Sequence, residues 1–274
     1  DMVVTGGQDG AIKMWDPSGR LVRSLEKHQG AVLALCVAGG NLFSSSSDSE
    51  VLRWSLSTFQ VTGVFAGHTE TVGVLEEAVR GTIASGSADD TVLVWNCEAI
   101  GAPPRDRSGP PVCSAVHRLT GHSDSVLCLA WSTSRRLLMS GSNDQTVRVW
   151  AADSAWDCVR VLGGHLGPVL AIGVVEGVGR LVSCSDDRQL RVWTLGAWEL
   201  VREAGDGHGS AVNNMLVTAD NQVITFDDAT AVVWQTDPWG LLRSVRLQGE
   251  VCAARMLGGM VMTGNFDGTV CVWR

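Results

Sequence analysis

The sequence predicts an all-β protein in which seven small antiparallel sheets, nominally of four strands each, stack side by side. Three observations predict it. A stretch closing on tryptophan recurs seven times along the 274 residues. Between the copies lie short apolar or alternating runs set off by Gly, Asn, Asp and Ser, the pattern of strands joined by tight turns. Hardly any stretch carries the 3.6-residue period of an amphipathic helix.

The copies run in order as "TGGQDGAIKMW" (5–15), "SSSSDSEVLRW" (44–54), "SGSADDTVLVW" (85–95), "SGSNDQTVRVW" (140–150), "SCSDDRQLRVW" (183–193), "ITFDDATAVVW" (224–234) and "TGNFDGTVCVW" (263–273). Their closing residues Trp15, Trp54, Trp95, Trp150, Trp193, Trp234 and Trp273 are spaced by 39, 41, 55, 43, 41 and 39 residues. The one long spacing marks an insertion at about 98–111, "EAIGAPPRDRSGPP". In the copy ending at Trp150 the strand-like runs are "SAVHRL", "SVLCLAW", "RLLMSGS" and "TVRVW". Four short strands cannot bury both faces of a sheet alone, so neighbouring sheets must stack, and radial stacking into a ring hides the edges. The prediction is one domain over 1–274. The first and last sheets are incomplete, and roughly 27 residues upstream of Asp1, or another segment, are expected to supply the missing strands and cover the open edge.

Composition bounds the function. The formal net charge of −8 argues against a nucleic-acid groove or an anionic membrane surface, both of which need clustered Lys and Arg. No apolar run reaches the roughly 18 residues of a membrane span. The eight cysteines, at 36, 97, 113, 128, 158, 184, 252 and 271, form no C-x-x-C pair and sit mostly in strand-like runs. They read as small buried hydrophobes of an intracellular, reducing compartment, with no zinc site and no cofactor. The opening "DMVVTGGQDG" has neither a basic nor an apolar signal region.

Each copy places an aspartate six residues before its tryptophan: Asp9, Asp48, Asp89, Asp144, Asp187, Asp228 and Asp267. In a turn, such a carboxylate can accept backbone N–H bonds and orient a histidine. Five copies carry a histidine 20 to 22 residues upstream, and six carry Ser or Thr four residues before the Asp. In the sixth copy Ile224 stands at that place, with Thr225 adjacent, and the seventh has "LQGEVC" where a histidine is expected. Ser140, His122 and Asp144 could make an acyl-transfer triad. The same types recur as His28/Ser44/Asp48, His68/Ser85/Asp89 and His165/Ser183/Asp187, and a catalytic site is normally unique in a chain. Repetition therefore favours a structural role, and no G-x-S-x-G elbow supports catalysis.

These residues resemble the WD-repeat β-propellers across nearly the whole chain. The family's Gly-His pair appears as Gly67-His68, Gly121-His122, Gly164-His165 and Gly207-His208, with Lys27-His28 a variant, while the Trp-Asp dipeptide survives only as Trp15-Asp16. The resemblance implies a seven-bladed propeller with a buried chain from Asp to His to Ser or Thr to the indole N–H. Its members here would be His28, Ser44, Asp48 and Trp54; His68, Ser85, Asp89 and Trp95; His122, Ser140, Asp144 and Trp150; and His165, Ser183, Asp187 and Trp193. It also implies a non-enzymatic scaffold that binds other proteins. A substrate receptor of a ubiquitin ligase or an RNA-processing protein is the alternative, though the chain has no W-D-x-R motif, and an enzyme is the weakest reading.

On that pattern one rim presents the residue before each Asp (Gln8, Ser47, Ala88, Asn143, Asp186, Asp227 and Phe266) and residues following the histidines, such as Glu70, Asp124 and Leu166. This set is acidic to neutral and lacks the Arg cluster that a phosphate-reading face needs. Phe59, Trp156, Trp198 and Trp239 lie five or six residues after their tryptophans. They either cap the last strand or anchor a partner. The insertion reads as an extended loop whose prolines exclude regular sheet, with Arg105 and Arg107 as its cationic contacts.

Overall fold

The computed structural model describes residues 2–79, 81–98, 109–205, 207–247, 249–257 and 259–273. Its architecture is an all-β, seven-bladed propeller. Helix among the described residues is confined to two 3₁₀ turns, Ala152–Ser154 and Glu176–Val178. The chain packs as two compact units, Asp1–Leu138 with Trp150–Cys158, and Met139–Val149 with Val159–Arg274.

The first sheet has three strands, β1 (Val3–Gly6), β2 (Ala11–Trp15) and β3 (Leu21–Glu26), in that order. The second is built on β4 (Val32–Ala38), β5 (Asn41–Ser46), β6 (Val51–Ser55) and β7 (Val61–Phe65). The third begins with β8 (Val72–Glu77), β9 (Thr82–Ser87) and β10 (Val92–Asn96). After the insertion come β11 (Val112–Cys113) and β12 (His117–Leu119), which join different sheets. β12 completes the third sheet beside β10, whereas β11 adds in parallel to β7 and makes the second sheet five-stranded.

That fifth strand begins at Val112, just past the 98–111 insertion, whose residues 99–108 lie outside the described ones. Proline lacks an N–H, but its carbonyl still accepts, and the Pro111 carbonyl takes the Val64 N–H at 2.9 Å. Two residues on, Ala66 N–H donates to the Cys113 carbonyl at 3.3 Å. A proline just ahead of an edge strand thus still supplies an acceptor to the ladder.

The fourth sheet runs β13 (Val126–Ser132), β14 (Leu137–Ser142), β15 (Val147–Ala151) and β16 (Asp157–Leu162). The fifth runs β17 (Val169–Val175), β18 (Arg180–Ser185), β19 (Leu190–Thr194) and β20 (Leu200–Ala204). The sixth runs β21 (Asn214–Val217), β22 (Val223–Phe226), β23 (Thr230–Thr236) and β24 (Trp239–Arg246). The seventh has β25 (Val251–Leu257), β26 (Met260–Asn265) and β27 (Val270–Trp273).

Within each unit the core lies between consecutive sheets. Phe43, Phe65, Ile83, Leu93 and Trp95 fill the seam of the second and third sheets, and Val182, Leu190, Val223, Val232 and Trp234 that of the fifth and sixth. The close approach of blades needs a small residue on the second strand. A Cβ on Gly86 would stand 2.7 Å from Val126 Cγ1, and one on Gly6 would stand 2.6 Å from Val32 Cγ1. Side chains there would prise neighbouring blades apart.

Candidate functional site

Strand register brings the recurring polar residues together. In the second blade Leu42 pairs with Trp54, so Ser44, two residues on, shares Trp54's face of the sheet. The same offset follows from Ile83 with Trp95, Leu181 with Trp193, and Val223 with Trp234. The indole N–H then donates to the hydroxyl: Trp54 to Ser44 at 2.8 Å, Trp95 to Ser85 at 2.8 Å, Trp193 to Ser183 at 3.1 Å and Trp234 to Thr225 at 2.7 Å. Trp15 reaches Thr5 at 2.9 Å and Trp273 reaches Thr263 at 3.0 Å.

The hydroxyl in turn meets a histidine. Ser44 lies 2.8 Å from His28 Nε2, Ser85 2.7 Å from His68, Ser183 2.9 Å from His165, and Thr225 2.7 Å from His208. The opposite ring nitrogen, Nδ1, faces a carboxylate: His28 to Asp48 at 2.8 Å, His68 to Asp89 at 2.9 Å and His165 to Asp187 at 2.9 Å. A carboxylate only accepts, so Nδ1 carries the proton and Nε2 accepts from the hydroxyl, which fixes the tautomer and the direction of the whole chain. In the fourth blade His122, Ser140 and Trp150 are all buried, with the His122 and Trp150 rings edge-on at 6.3 Å. Asp144 there accepts from the Thr146 N–H at 2.9 Å and hydroxyl at 2.7 Å.

The turn that holds each Asp is built locally. Ser46, Ser87, Ser142 and Ser185 accept the N–H of Asp48, Asp89, Asp144 and Asp187 at 3.0 to 3.1 Å. The next residue is left-handed in each case: Ser49, Asp90, Gln145 and Arg188 have φ between 66° and 70° or, for Asp90, 64°. That conformation tightens the turn and aims the carboxylate back at the histidine loop, where Asp48 accepts the Gln29 N–H and Asp89 the Thr69 N–H.

Burial and hydrogen bonding pull the pKa values in opposite senses. Burial pushes His68, His165 and His208 below the ordinary 6.5, outweighing the attraction of their carboxylates, so the rings are neutral. Burial would raise Asp89, but the bonds from Thr91, His68 and Thr69 prevail and hold it below 3.8. Asp48, Asp187 and Asp227 are lowered against burial in the same way, chiefly by backbone N–H donors with the histidine. As chemistry, the arrangement is saturated. Ser44, Ser85 and Ser183 are fully buried, and each accepts from an indole and donates to an imidazole, so burial keeps the hydroxyl oxygen from any substrate.

The sixth blade departs from the six-residue spacing. His208 faces Asp227, at 3.1 Å through a contact too bent for a good hydrogen bond, and Asp227 accepts the N–H groups of Gly209, Ala229 and Thr230 at 2.6 to 2.9 Å. Asp227 is thus not a rim contact; it is 2% exposed and closes the polar chain, while Asp228, in the predicted position, is exposed and 3.4 Å from Asn213. The cause is a shorter turn. Three residues, 227–229, join β22 to β23, where four, 47–50, join β5 to β6. Thr225 accordingly serves in place of Ile224.

Of the other predicted contacts before the Asp, Gln8, Ser47, Asn143, Asp186 and Phe266 are exposed and Ala88 is half-buried. Glu70 and Leu166 are exposed as well, Leu166 to 84%. The link aromatics turn inward. The N–H groups of Phe59, Trp156 and Trp198 close their links on the carbonyls of Ser55, Ala151 and Thr194 at 2.8 to 3.0 Å, with φ near 60°. Trp156 is 8% exposed beside Trp131, Phe59 lies under the Arg23 guanidinium at 4.7 Å, Trp239 stacks on Trp234 at 5.7 Å, and Trp198 is half-buried. Arg105 and Arg107 fall outside the described residues. Sequence reasoning missed the Ser that caps each Asp turn; its position two residues after the network Ser, in "SSS", "SGS" and "SCS", was the available signal.

Comparison with known proteins agrees with this geometry. Residues 59–96, 113–151 and 156–194 match the WD domain, G-beta repeat family. WD repeat-containing protein pop1 of Schizosaccharomyces pombe is 29% identical over 214 residues, covering 63% of this chain and 27% of pop1. Autophagy-related protein 16 of Arabidopsis thaliana is 22% identical over 282 residues, 98% of this chain and 52% of that protein. The CCR4-associated factor 4 homolog of Candida glabrata is 34% identical over 137 residues, 48% of this chain and 23% of that factor. The chain spans from about a quarter to about half the length of these relatives.

Proposed function

We propose, for a chain that belongs to the WD-repeat β-propellers, a non-enzymatic role: a rigid scaffold that binds other proteins and holds them in a larger assembly. One observation carries the reading. The Ser, His and Asp of the second, third and fifth blades are spent on the tryptophan indole, so the polar machinery that could have done chemistry stabilises blades instead. Solvent is left the turn residues beside it, Gln8, Ser47, Asn143, Asp186 and Phe266, which differ from blade to blade as contact surfaces do. A name such as CCR4-associated factor, borne by one relative, is in keeping with work inside assemblies. Its eight cysteines, none in a disulfide, suit a reducing compartment.

Affinity purification of the tagged chain followed by crosslinking mass spectrometry tests this. With a carboxylate-reactive crosslinker, reproducible crosslinks from Asp186 and other acidic residues near the exposed turns to a defined set of proteins are expected. A chain that crosslinks to nothing above background, or a serine-dependent esterase rate that falls in Ser85→Ala, overturns it. Crosslinks to a ubiquitin-ligase subunit or to RNA-processing factors would assign the assembly.

A further inference from the structure

We propose that β24 is a docking edge for an extended acidic segment of a partner protein, which adds to the sixth sheet as a further strand. Strand β24 is the last in its sheet and pairs with β23 on one side. At eight residues it is longer than β3, β7 or β20, the last or next-to-last strands of other blades. Its sequence, "WGLLRSVR", holds two arginines and no acidic residue, in a chain of net charge −8.

The side chains on this edge are presented to solvent. Leu241 is 47% and Leu242 49% exposed, and Arg243 and Arg246 are exposed as well. Among the described residues neither arginine forms an ion pair. The comparable strands are already committed. On β3, Arg23 lies over Phe59, and on β20 the exposed Arg202 is offset by an acidic neighbour, Glu203, which binds Arg191 at 2.8 Å. β24 is thus a long edge with both unpaired backbone groups and unpaired cations.

The protein itself shows that such an edge takes another strand. The corresponding strand of the second blade, β7, contains no charged residue in "VTGVF", and β11 lies along it in parallel. Next to Leu242 there is also a hollow of about 450 Å³ lined by Val178, Gln235, Thr236 and two carboxylates, Asp220 and Asp237. The carboxylates bar acidic groups from that end. The register shift between Val233 and Trp234 falls at Leu242, which precedes Arg246 by four residues, about 13 Å along the strand at ~3.3 Å per residue. A parallel occupant would therefore carry an apolar residue toward its N-terminal end, for the hollow, and acidic residues toward its C-terminal end, for Arg243 and Arg246.

The proposal rests on the scaffold reading and names one of its surfaces. The test titrates the 274-residue chain with fluorescein-labelled, end-blocked Leu-Thr-Val-Glu-Val-Thr-Glu-Val and with the same peptide bearing Lys for both Glu. Anisotropy at low ionic strength reads affinity, and amide hydrogen exchange reads location. The expected result is preference for the acidic peptide by about tenfold, a loss of about tenfold in the Arg243→Glu/Arg246→Glu variant, and slowed exchange confined to 239–246. Because the changed side chains are exposed, an unaltered melting midpoint certifies the variant's fold. Edge arginines also serve simply to repel other strands, and absence of peptide binding would mean that they do only this. Equal affinity for the charge-reversed variant, or protection elsewhere, likewise overturns the proposal. A silent β24 beside abundant crosslinked partners would remove the edge and leave the scaffold.

Discussion

Replacing His68 by alanine tests the saturated polar chain directly. The ring is buried, with its side chain 1% exposed, and it bridges Ser85 at 2.7 Å and Asp89 at 2.9 Å. Without it Asp89 keeps the Thr69 and Thr91 N–H groups and the Thr91 hydroxyl, so the carboxylate stays supplied. The Ser85 hydroxyl proton does not, and an orphaned buried donor costs about 1–3 kcal/mol. The ring leaves a void of roughly 60 Å³ beside Trp95, worth about 1.5 kcal/mol at ~24 cal/mol/Å³. Together these predict a loss of about 2.5–4.5 kcal/mol in urea unfolding followed by tryptophan fluorescence. In a cycle with Ser85→Ala, the second substitution removes the orphan, so the double variant should fall short of the sum by about 1 kcal/mol or more. A loss under about 0.5 kcal/mol, or strict additivity, would refute the argument.

Acid should weaken the fold from near neutrality. His68, His165 and His208 titrate below 6.5 when folded, so between the folded value and 6.5 the unfolded chain binds more protons and stability falls as pH drops. The depressed Asp48, Asp89, Asp187 and Asp227 extend the loss below pH 3.8, where their stabilisation disappears as pH falls through their folded values. A urea midpoint that stays constant from pH 7 to pH 5 would contradict this. Asp227→Asn should cost about 1–3 kcal/mol while Asp228→Asn stays within about 0.5 kcal/mol; the reverse order in thermal melts would return the sixth turn to six-residue spacing. Burial pushes the Cys97 thiol up to about 12, so iodoacetamide at pH 8 should label exposed Cys158 well before Cys97, as peptide mapping of the native chain would show.

The blade count, the spacing of Trp15 to Trp273 and the types in each polar chain were legible in the sequence. Those are periodic features, and a period survives in one dimension because every blade solves the same packing problem with the same residues. The indole partner was implied by the resemblance to the WD-repeat family; in the structure Ser44 and Trp54 lie ten residues apart across one hairpin. What the tertiary structure decided lies where the period breaks. Asp227 displaces Asp228 because one turn is a residue shorter, and a local deletion leaves no mark in composition. Val112 and Cys113, just past the insertion, lie along β7, and that pairing joins residues nearly fifty positions apart, where only the fold can say which edge is free. The link aromatics turn inward for a like reason: Phe59 and Trp156 were ambiguous as side chains, and the left-handed backbone beneath them settled their direction. Repetition specified the interior of each blade. The contacts made only once depended on distances through space.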